Sequence, residues 1–106
     1  MDLVQKGLRV SVEQYDDARR YIAECKARVA EMYKATPVIL SPAATGPAPF
    51  GLASAGAPRM NAPWTALGTP AISIPMPVPN GLPLGLQLTA GHGHDARVLR
   101  AAVRLQ

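Results

Sequence analysis

The stretch NAPWTALGTPAISIPMPVPNGLPLGLQL, residues 61–88, decides the fold of this chain. The segment NAPWTALG predicts a short helix, because Asn61 is a good N-cap and Gly68 is a typical residue at a helix C-terminus. Two segments with alternating apolar residues follow, and the Asn80-Gly81 dipeptide between them is typical of a hairpin turn. The stretch therefore predicts a short helix followed by two antiparallel strands.

Each predicted hairpin strand has one apolar face, because apolar residues recur at every second position. They are Ile72, Ile74, Met76 and Val78 in the first strand, and Leu82, Leu84, Leu86 and Leu88 in the second. Pro75, Pro77 and Pro79 remove donors from one edge of the first strand, which we expect to pair fully on one side only. Gly85 lies on the other face of the second strand, where a neighbouring backbone can approach closely.

The segment SVEQYDDARRYIAECKARVAEMYKA, residues 11–35, predicts a long N-terminal helix. Ser11 is a good N-cap, and Gln14 completes a capping box three residues later. Charged residues four positions apart, such as Asp16 and Arg20, predict ion pairs along the solvated face. Apolar residues at intervals of three and four predict one buried stripe. The stripe consists of Val12, Tyr15, Ala18, Ile22, Cys25, Val29 and Met32.

The remaining segments predict one further strand, a crossing and a final helix. The apolar run VIL, residues 38–40, lies between prolines and predicts a short central strand buried on both faces. Segment 43–60 is long and irregular, but its residues are mostly small and neutral, so we expect a tightly packed, ordered crossing. Asp95 opens a C-terminal helix. Its apolar side consists of Val98, Leu99, Ala102 and Leu105.

Together these elements predict an α/β fold in a single domain over residues 1–106. It has a long N-terminal helix, a short central strand, a short helix, a β-hairpin and a C-terminal helix packed over a small sheet. The chain is 48% hydrophobic but only 5% aromatic, so its core has few large anchors. Either this core is marginally stable, or it receives apolar surface from elsewhere.

The second hairpin strand is expected to expose a free edge that carries no charge. Such an edge is a template for pairing with another chain. We therefore expect the isolated chain to self-associate, most simply as a homodimer that buries Leu84, Leu86 and Leu88 or exchanges elements between protomers.

Charge and cysteine content disfavour several classes of function. The net charge is +4, but acids lie among the cations of the first helix. The apolar middle of the chain has only Arg59 between Lys34 and Arg97 and lacks interleaved aromatic residues, which disfavours nucleic acid as a partner. The single cysteine, Cys25, cannot form an internal disulfide. The N-terminus shows no secretory pattern and no apolar run approaches roughly 18 residues, so we expect a cytoplasmic protein with no membrane partner.

Two blocks of the chain resemble a known family. PVILSPAATGPAPFGL, residues 37–52, and RMNAPWTALGTPAISIPMPVPNGLPLGLQLTAGHGHDARVLRAA, residues 59–102, are similar to the C-terminal part of amidase signature hydrolases. The most specific segments surround Trp64 and Gln87, since neither is a generic helix or strand pattern. The upstream helix also resembles the corresponding helix of that family, so the resemblance covers nearly the whole chain.

The resemblance implies an enzyme that hydrolyses carboxamides through a Ser–cis-Ser–Lys triad, and we expect no cofactor. That triad belongs to a glycine- and serine-rich signature upstream of the matched region, and this chain has no Gly-Gly-Ser-Ser-Gly run. A nucleophile needs an activating partner, and no serine here has one in its sequence context. We therefore expect no catalytic residue and no activity in this chain alone, with the upstream catalytic part of an amidase as its partner. The alternative is a non-catalytic binding or assembly module derived from the same fold.

Trp64 and Asn61 are the substrate-pocket residues that the resemblance implies. The simpler interpretation makes Trp64 a core anchor beneath the crossing and Asn61 the helix cap. Gln87 has the chemistry to bind a substrate carbonyl, although pairing with a neighbouring strand or loop is the simpler role. His92 and His94 form a solvated turn in our prediction and bind no metal, because a metal site needs three or four ligands.

Overall fold

The structure, a computed structural model, describes residues 3–106. This part of the chain is mixed α/β, with four α-helices and one three-stranded antiparallel sheet. The helices are α1 (Leu3–Gly7), α2 (Val12–Ala35), α3 (Ala62–Leu67) and α4 (Asp95–Leu105), and the strands are β1 (Val38–Pro42), β2 (Ala71–Met76) and β3 (Leu84–Ala90). The predicted fold class and order of elements are confirmed at this level. The sequence pattern did not predict α1.

Helix α2 begins with the predicted capping box. Ser11 Oγ accepts a hydrogen bond from the Gln14 amide at 3.1 Å, and the Ser11 amide donates to Gln14 Oε1 at 3.0 Å. The ion pair of Arg20 is formed with Asp17 rather than with the predicted Asp16. Residues three apart are neighbours on a helix just as residues four apart are. Arg20 can therefore reach either carboxylate, and it pairs with that of Asp17.

The apolar stripe of α2 is less buried than its pattern predicts. Tyr33 is the one buried residue of the helix, while Val12 and Tyr15 at its other end are exposed. Cys25, expected to be buried, is half-buried. The contacts of α2 explain the difference. This helix packs mainly against the six-residue helix α3 and makes little contact with the sheet, so most of its stripe has no apolar partner.

The central strand of the sheet is β3, in the order β1-β3-β2. Strand β1 pairs with one edge of β3, with Val38 opposite Ala90 and Pro42 opposite Leu86. Strand β2 pairs with the other edge. Two predictions are therefore wrong: residues 38–40 belong to an edge strand that is only partly buried, and β3 has no free edge.

The hairpin between β2 and β3 is confirmed, but its connection is a loop rather than a tight turn at Asn80-Gly81. Met76 pairs with Leu84, so residues 77–83 lie outside both strands. Pro77, Pro79 and Pro83 have no amide hydrogen to extend the pairing. As predicted, β2 is an edge strand, and it retains one proline, Pro75.

The hydrophobic core lies between one face of the sheet and α4. It consists of Ile74, Leu88, Ala90, Val98 and Ala102, with Val38, Ile72, Leu86 and Ala101 packed against it. The predicted apolar side of α4 is confirmed for Val98 and Ala102 and is wrong for Leu99 and Leu105, which are exposed. Leu88 is 2% exposed and lies in this core, so it is not free to form the expected dimer contact.

The crossing between β1 and α3 is not tightly packed, contrary to the prediction. Nearly all of residues 44–59 are exposed, and Phe50 and Leu52 are fully exposed. Small residues offer little surface to bury, and the two large ones here have no apolar layer to pack against. None of the described helices combines the length and the apolar character needed to cross a membrane.

A close approach is present at Gly85, but side-chain atoms make it rather than the predicted neighbouring backbone. A Cβ atom at this position would lie 2.7 Å from Ala43 Cβ and 2.7 Å from Ser73 Oγ. We expect Gly85→Ala to lower the free energy of unfolding by about 1–3 kcal/mol, because the segment at Ala43 must shift and the Ser73 side chain must rotate. Urea unfolding followed by circular dichroism measures this change.

Gly46→Ala is the matched control, because a Cβ there meets nothing within 4 Å. We expect it to change the stability by less than about 0.5 kcal/mol. Adding Ala43→Gly to the Gly85→Ala variant removes one of the two close contacts, and part of the lost stability is expected to return. Equal stability of Gly85→Ala and the natural chain would contradict the close approach.

Candidate functional site

The face of β3 opposite the core is polar. Gln87 and Thr89 point to this face and alternate with the leucines of the core face. The neighbouring strands place a serine on each side of Gln87, with Ser41 in β1 and Ser73 in β2 directly opposite it in the register. Three hydrogen-bonding side chains therefore form a row across the middle of the sheet.

Gln87 is 5% exposed and has partners at both ends of its amide. Its Nε2 donates to Asn61 Oδ1 at 2.6 Å, and its Oε1 accepts from Ser41 Oγ at 3.4 Å. The simpler role predicted for Gln87, pairing with a neighbouring strand or loop, is confirmed. The fold can bury this amide because both ends are hydrogen-bonded.

Asn61 connects this row to α3, and its predicted role as a side-chain cap is wrong. It occupies the N-cap position of α3, but its side chain forms no capping hydrogen bond. The backbone carbonyl of Asn61 accepts from the Thr65 amide at 3.1 Å and from Thr65 Oγ1 at 3.2 Å. The side-chain oxygen accepts from Gln87 instead, because satisfying a buried amide outweighs capping a six-residue helix.

Trp64 forms part of a cleft beside this row. It is half-buried and is not a member of the core cluster, so the interpretation as a core anchor beneath the crossing is not what the structure shows. The cleft has a volume of about 310 Å³. Its walls consist of Asn61, Trp64, Thr65, Thr69, Ala71, Ile72, Ser73 and Gln87. Both predicted pocket residues thus meet at one cleft, and their role toward a substrate stays a prediction.

A second buried hydrogen bond extends the polar row. Tyr33 OH of α2 donates to Thr89 Oγ1 at 2.7 Å, and Thr89 is 0% exposed. This bond joins the last turns of α2 to the central strand. The row therefore contacts three other elements of the fold: α2, α3 and β1.

The cleft has the chemistry to hold a neutral polar group. Its polar side chains are two amides and three hydroxyls, which donate and accept hydrogen bonds without carrying charge. A carboxamide presents the same combination of donor and acceptor. Among residues 3–106, the hydrogen bonds of Ser11, Ser41 and Ser54 go to backbone amides or to Gln87 rather than to a lysine or histidine.

The two histidines lie in the turn between β3 and α4, and the predicted solvated turn is confirmed. Both are exposed, and His92 Nδ1 is hydrogen-bonded to the Gly68 carbonyl oxygen at 2.8 Å. Within the described part of the chain, no three histidine, cysteine, aspartate or glutamate side chains form a group able to hold a metal ion.

Sequence reasoning missed the two serines that flank Gln87, of which Ser73 lines the cleft. Pairing both Ser41 and Ser73 with Gln87 requires the strand order β1-β3-β2, which the sequence patterns did not predict. The sequence does contain a signal for these serines. Each lies between two apolar residues, so in a strand its side chain points to the face opposite that of its two neighbours.

Comparison with known proteins identifies no relative. A scan against protein-family models gives no match to this chain, and a search of curated proteins gives no significant match. The resemblance to amidase signature hydrolases therefore stays an expectation that depends on the upstream helix and on residues 37–52 and 59–102.

The buried hydrogen bond between Tyr33 and Thr89 is expected to contribute to stability. Tyr33→Phe leaves the Thr89 hydroxyl buried without its donor, so we expect the free energy of unfolding to fall by about 1–3 kcal/mol. Chemical denaturation measures this value. Tyr21→Phe is the matched control, because Tyr21 lies on the same helix and is exposed. Equal effects of the two substitutions would show that the bond does not stabilise the fold.

Proposed function

We propose that this chain is the C-terminal part of an amidase signature hydrolase, which cleaves carboxamides with a Ser–cis-Ser–Lys triad. The triad lies outside these 106 residues, and the partner of the chain is the upstream catalytic part of the enzyme. The meeting of Asn61, Trp64 and Gln87 at one neutral cleft supports this proposal, because these residues come from the two segments that resemble the family.

The observation that carries the proposal is the large surface of the chain. Its radius of gyration is 16.5 Å, whereas a compact domain of this length has about 13 Å. Its accessible surface is 8292 Å², whereas a compact monomer of this mass exposes about 5,700 Å². The chain has the dimensions of a flat slab, 49 × 40 × 16 Å. Such a surface is typical of a piece that packs against further protein.

Large apolar residues are exposed in several parts of this surface. Among them are Phe50 and Leu52 in the crossing, Val12 and Tyr15 at the outer end of α2, and Leu40 on the edge strand β1. Exposed apolar surface of this extent suits an interface with further protein. In the proposed enzyme the catalytic part covers them.

The neutral cleft has a limited role in this proposal. Amide hydrolysis requires a nucleophile and a group that takes its proton, and both come from the catalytic part. Asn61 and Ser73 at the cleft offer hydrogen bonds to an amide, while the indole of Trp64 offers an apolar wall. The chain thus contributes substrate contacts and leaves the bond-breaking chemistry to the upstream residues.

A non-catalytic binding or assembly module is the second candidate, because the same exposed surface suits a protein partner. The coding sequence upstream of Met1 distinguishes the two. An in-frame segment with a glycine- and serine-rich signature supports the enzyme, and its absence supports the module. In either case we propose a cytoplasmic location.

A chimera tests the enzyme proposal directly. Residues 1–106 replace the corresponding C-terminal part of a characterised amidase signature hydrolase, and turnover of the parent enzyme's own amide substrate is measured. We expect the chimera to hydrolyse the amide, and we expect Gln87→Leu in the chimera to lower turnover because it removes the donor to Asn61. A chimera that is soluble and folded but inactive would contradict the proposal.

The isolated chain is the accompanying control. We expect it to hydrolyse small aryl and alkyl amides, esters and nitriles no faster than background, because it lacks the Gly-Gly-Ser-Ser-Gly run. Turnover that persists after all serines are replaced would contradict the link to amidases. Turnover lost on replacing one serine would place a catalytic residue inside this chain.

Without its catalytic partner, the chain is expected to self-associate. The sheet has two free edges, on β1 and on β2, and β3 has none. Strand β2 contains Pro75, which has no amide hydrogen for further pairing, whereas Leu40 on β1 is 54% exposed. We expect light scattering across a dilution series to show a dimer, and we expect Leu40→Lys to weaken it because a charge on an edge strand opposes pairing.

Leu99→Lys is the control for this test, since Leu99 is 56% exposed but lies on α4. We expect it to leave the dimer unchanged. A stable monomer at roughly tens of micromolar, where exposed strand edges associate, would contradict self-association. Equal effects of the two lysine substitutions on the dimer would show that the dimer contact does not lie on β1.

A further inference from the structure

A second cleft lies between the C-terminal half of α2, the end of α3 and the turn that leads into α4. Its volume is about 710 Å³, within the range of about 300–1,000 Å³ that is usual for small-molecule sites. Thr69 borders both this cleft and the neutral one at Gln87.

The charged residues that line this cleft are all basic. Lys26 and Lys34 enter it from α2, and Arg97 from α4. The side chains of His92 and His94 lie in the same wall, and no aspartate or glutamate is part of it. A concave site lined by one sign of charge concentrates ions of the opposite sign. We call this site the basic cleft.

Two of these cations are not neutralised within the described residues. Lys34 Nζ is paired with Glu31 at 2.6 Å, but Lys26 and Arg97 form no ion pair within residues 3–106. Arg97 is also half-buried. A cation that is partly removed from water and unpaired gains more from binding an anion than one that is fully solvated or already paired.

The remaining wall of the basic cleft is apolar. Val29, Pro37 and Leu67 contribute to it, and the ring of Tyr33 lies beside them with its hydroxyl already bonded to Thr89. Inorganic phosphate alone would leave this wall in contact with water. A ligand with an apolar body covers it while its anionic group contacts the cations.

We propose that the basic cleft binds a small organic anion, in which a phosphate or carboxylate group is attached to an apolar or aromatic body. The anionic group lies between Lys26 and Arg97, and the body packs against Val29 and Leu67. This proposal does not depend on the link to amidases, because the basic cleft and the neutral cleft use different polar side chains apart from Thr69.

Phenyl phosphate is the probe that tests this proposal on the full 106-residue chain. Isothermal titration at low ionic strength is expected to show saturable binding with one site per chain. We expect the affinity to fall when the salt concentration rises from 0.02 to 0.2 M, because salt screens the attraction. The affinity for benzoate shows whether a carboxylate can replace the phosphate. The affinity for inorganic phosphate measures what the anionic group contributes to binding, and the affinity for phenol measures what the ring contributes.

Substitutions that each remove one positive charge locate the binding. We expect Arg97→Gln and Lys26→Gln to weaken binding of phenyl phosphate about tenfold each, since each removes a charged hydrogen-bond donor. Arg100→Gln on α4 and Arg28→Gln on α2 are the matched controls, because neither residue lines the basic cleft. We expect both controls to change the affinity less than about twofold. Circular dichroism verifies the fold of each variant.

Three results would overturn the proposal. The first is the lack of saturable binding for both phenyl phosphate and benzoate. The second is an equal loss of affinity in the controls and in the two cleft variants, which would show attraction by net charge alone. The third is binding of phenol as tight as that of phenyl phosphate, which would show that the anionic group does not matter.

Discussion

The pairing of β3 on both edges is the constraint on which the rest of the structure depends. Because successive side chains of a strand point to opposite faces, fixing β3 between β1 and β2 assigns Leu86 and Leu88 to the layer with α4, and Gln87 and Thr89 to the layer with α2 and α3. A shift of the pairing by one residue would exchange these layers and bury the glutamine amide among the core residues.

The two faces of the sheet are held by different forces. The α4 face is stabilised by burial of apolar side chains, which has no directional requirement. The opposite face is held by hydrogen bonds that Ser41 and Tyr33 donate and that Asn61 accepts, and these require defined distances and angles. The polar face therefore positions the C-terminal end of α2 and the start of α3 more strictly than an apolar contact would. The basic cleft lies between these two helices, and the neutral cleft lies beside α3.

Local signals in the sequence predict most of the fold. The capping box at Ser11, the helix end at Gly68 and the hairpin strands are each encoded by residues near one another in the chain. The position of β1 beside β3 at the edge of the sheet is not encoded by neighbouring residues, because it depends on pairing between segments far apart in sequence. The packing of the crossing was predicted wrongly for a related reason. Small neutral residues occur in both packed and exposed segments. Whether such a segment is packed depends on the surface that the rest of the protein places against it.

The candidate site was likewise predicted in part from the sequence, and the rest of it depends on tertiary contacts. Asn61 and Trp64 were singled out from the resemblance, and the structure brings them together with Gln87. The exchange of the Asn61 side chain from helix cap to partner of Gln87 was not predictable, because capping is a local rule and the buried amide is a tertiary demand. The basic cleft also escaped sequence reasoning, since Lys26 and Arg97 are distant along the chain and each fits an ordinary solvated helix face.

The attachment of α2 has a mechanical consequence. Tyr33 is the one buried residue of this helix and lies near its C-terminal end. The half-buried Ile22, Cys25 and Val29 lie between it and the first turns, whereas residues 12–21 are all exposed. The first turns therefore project beyond the attached part of the helix, and Val12 lies about 32 Å from Tyr33 along the axis. A tilt of roughly 10° about the Tyr33 attachment would move Val12 by about 6 Å on this length. Hydrogen exchange along α2 should therefore be graded, with amides near Tyr33 the slowest and those of the first turns the fastest.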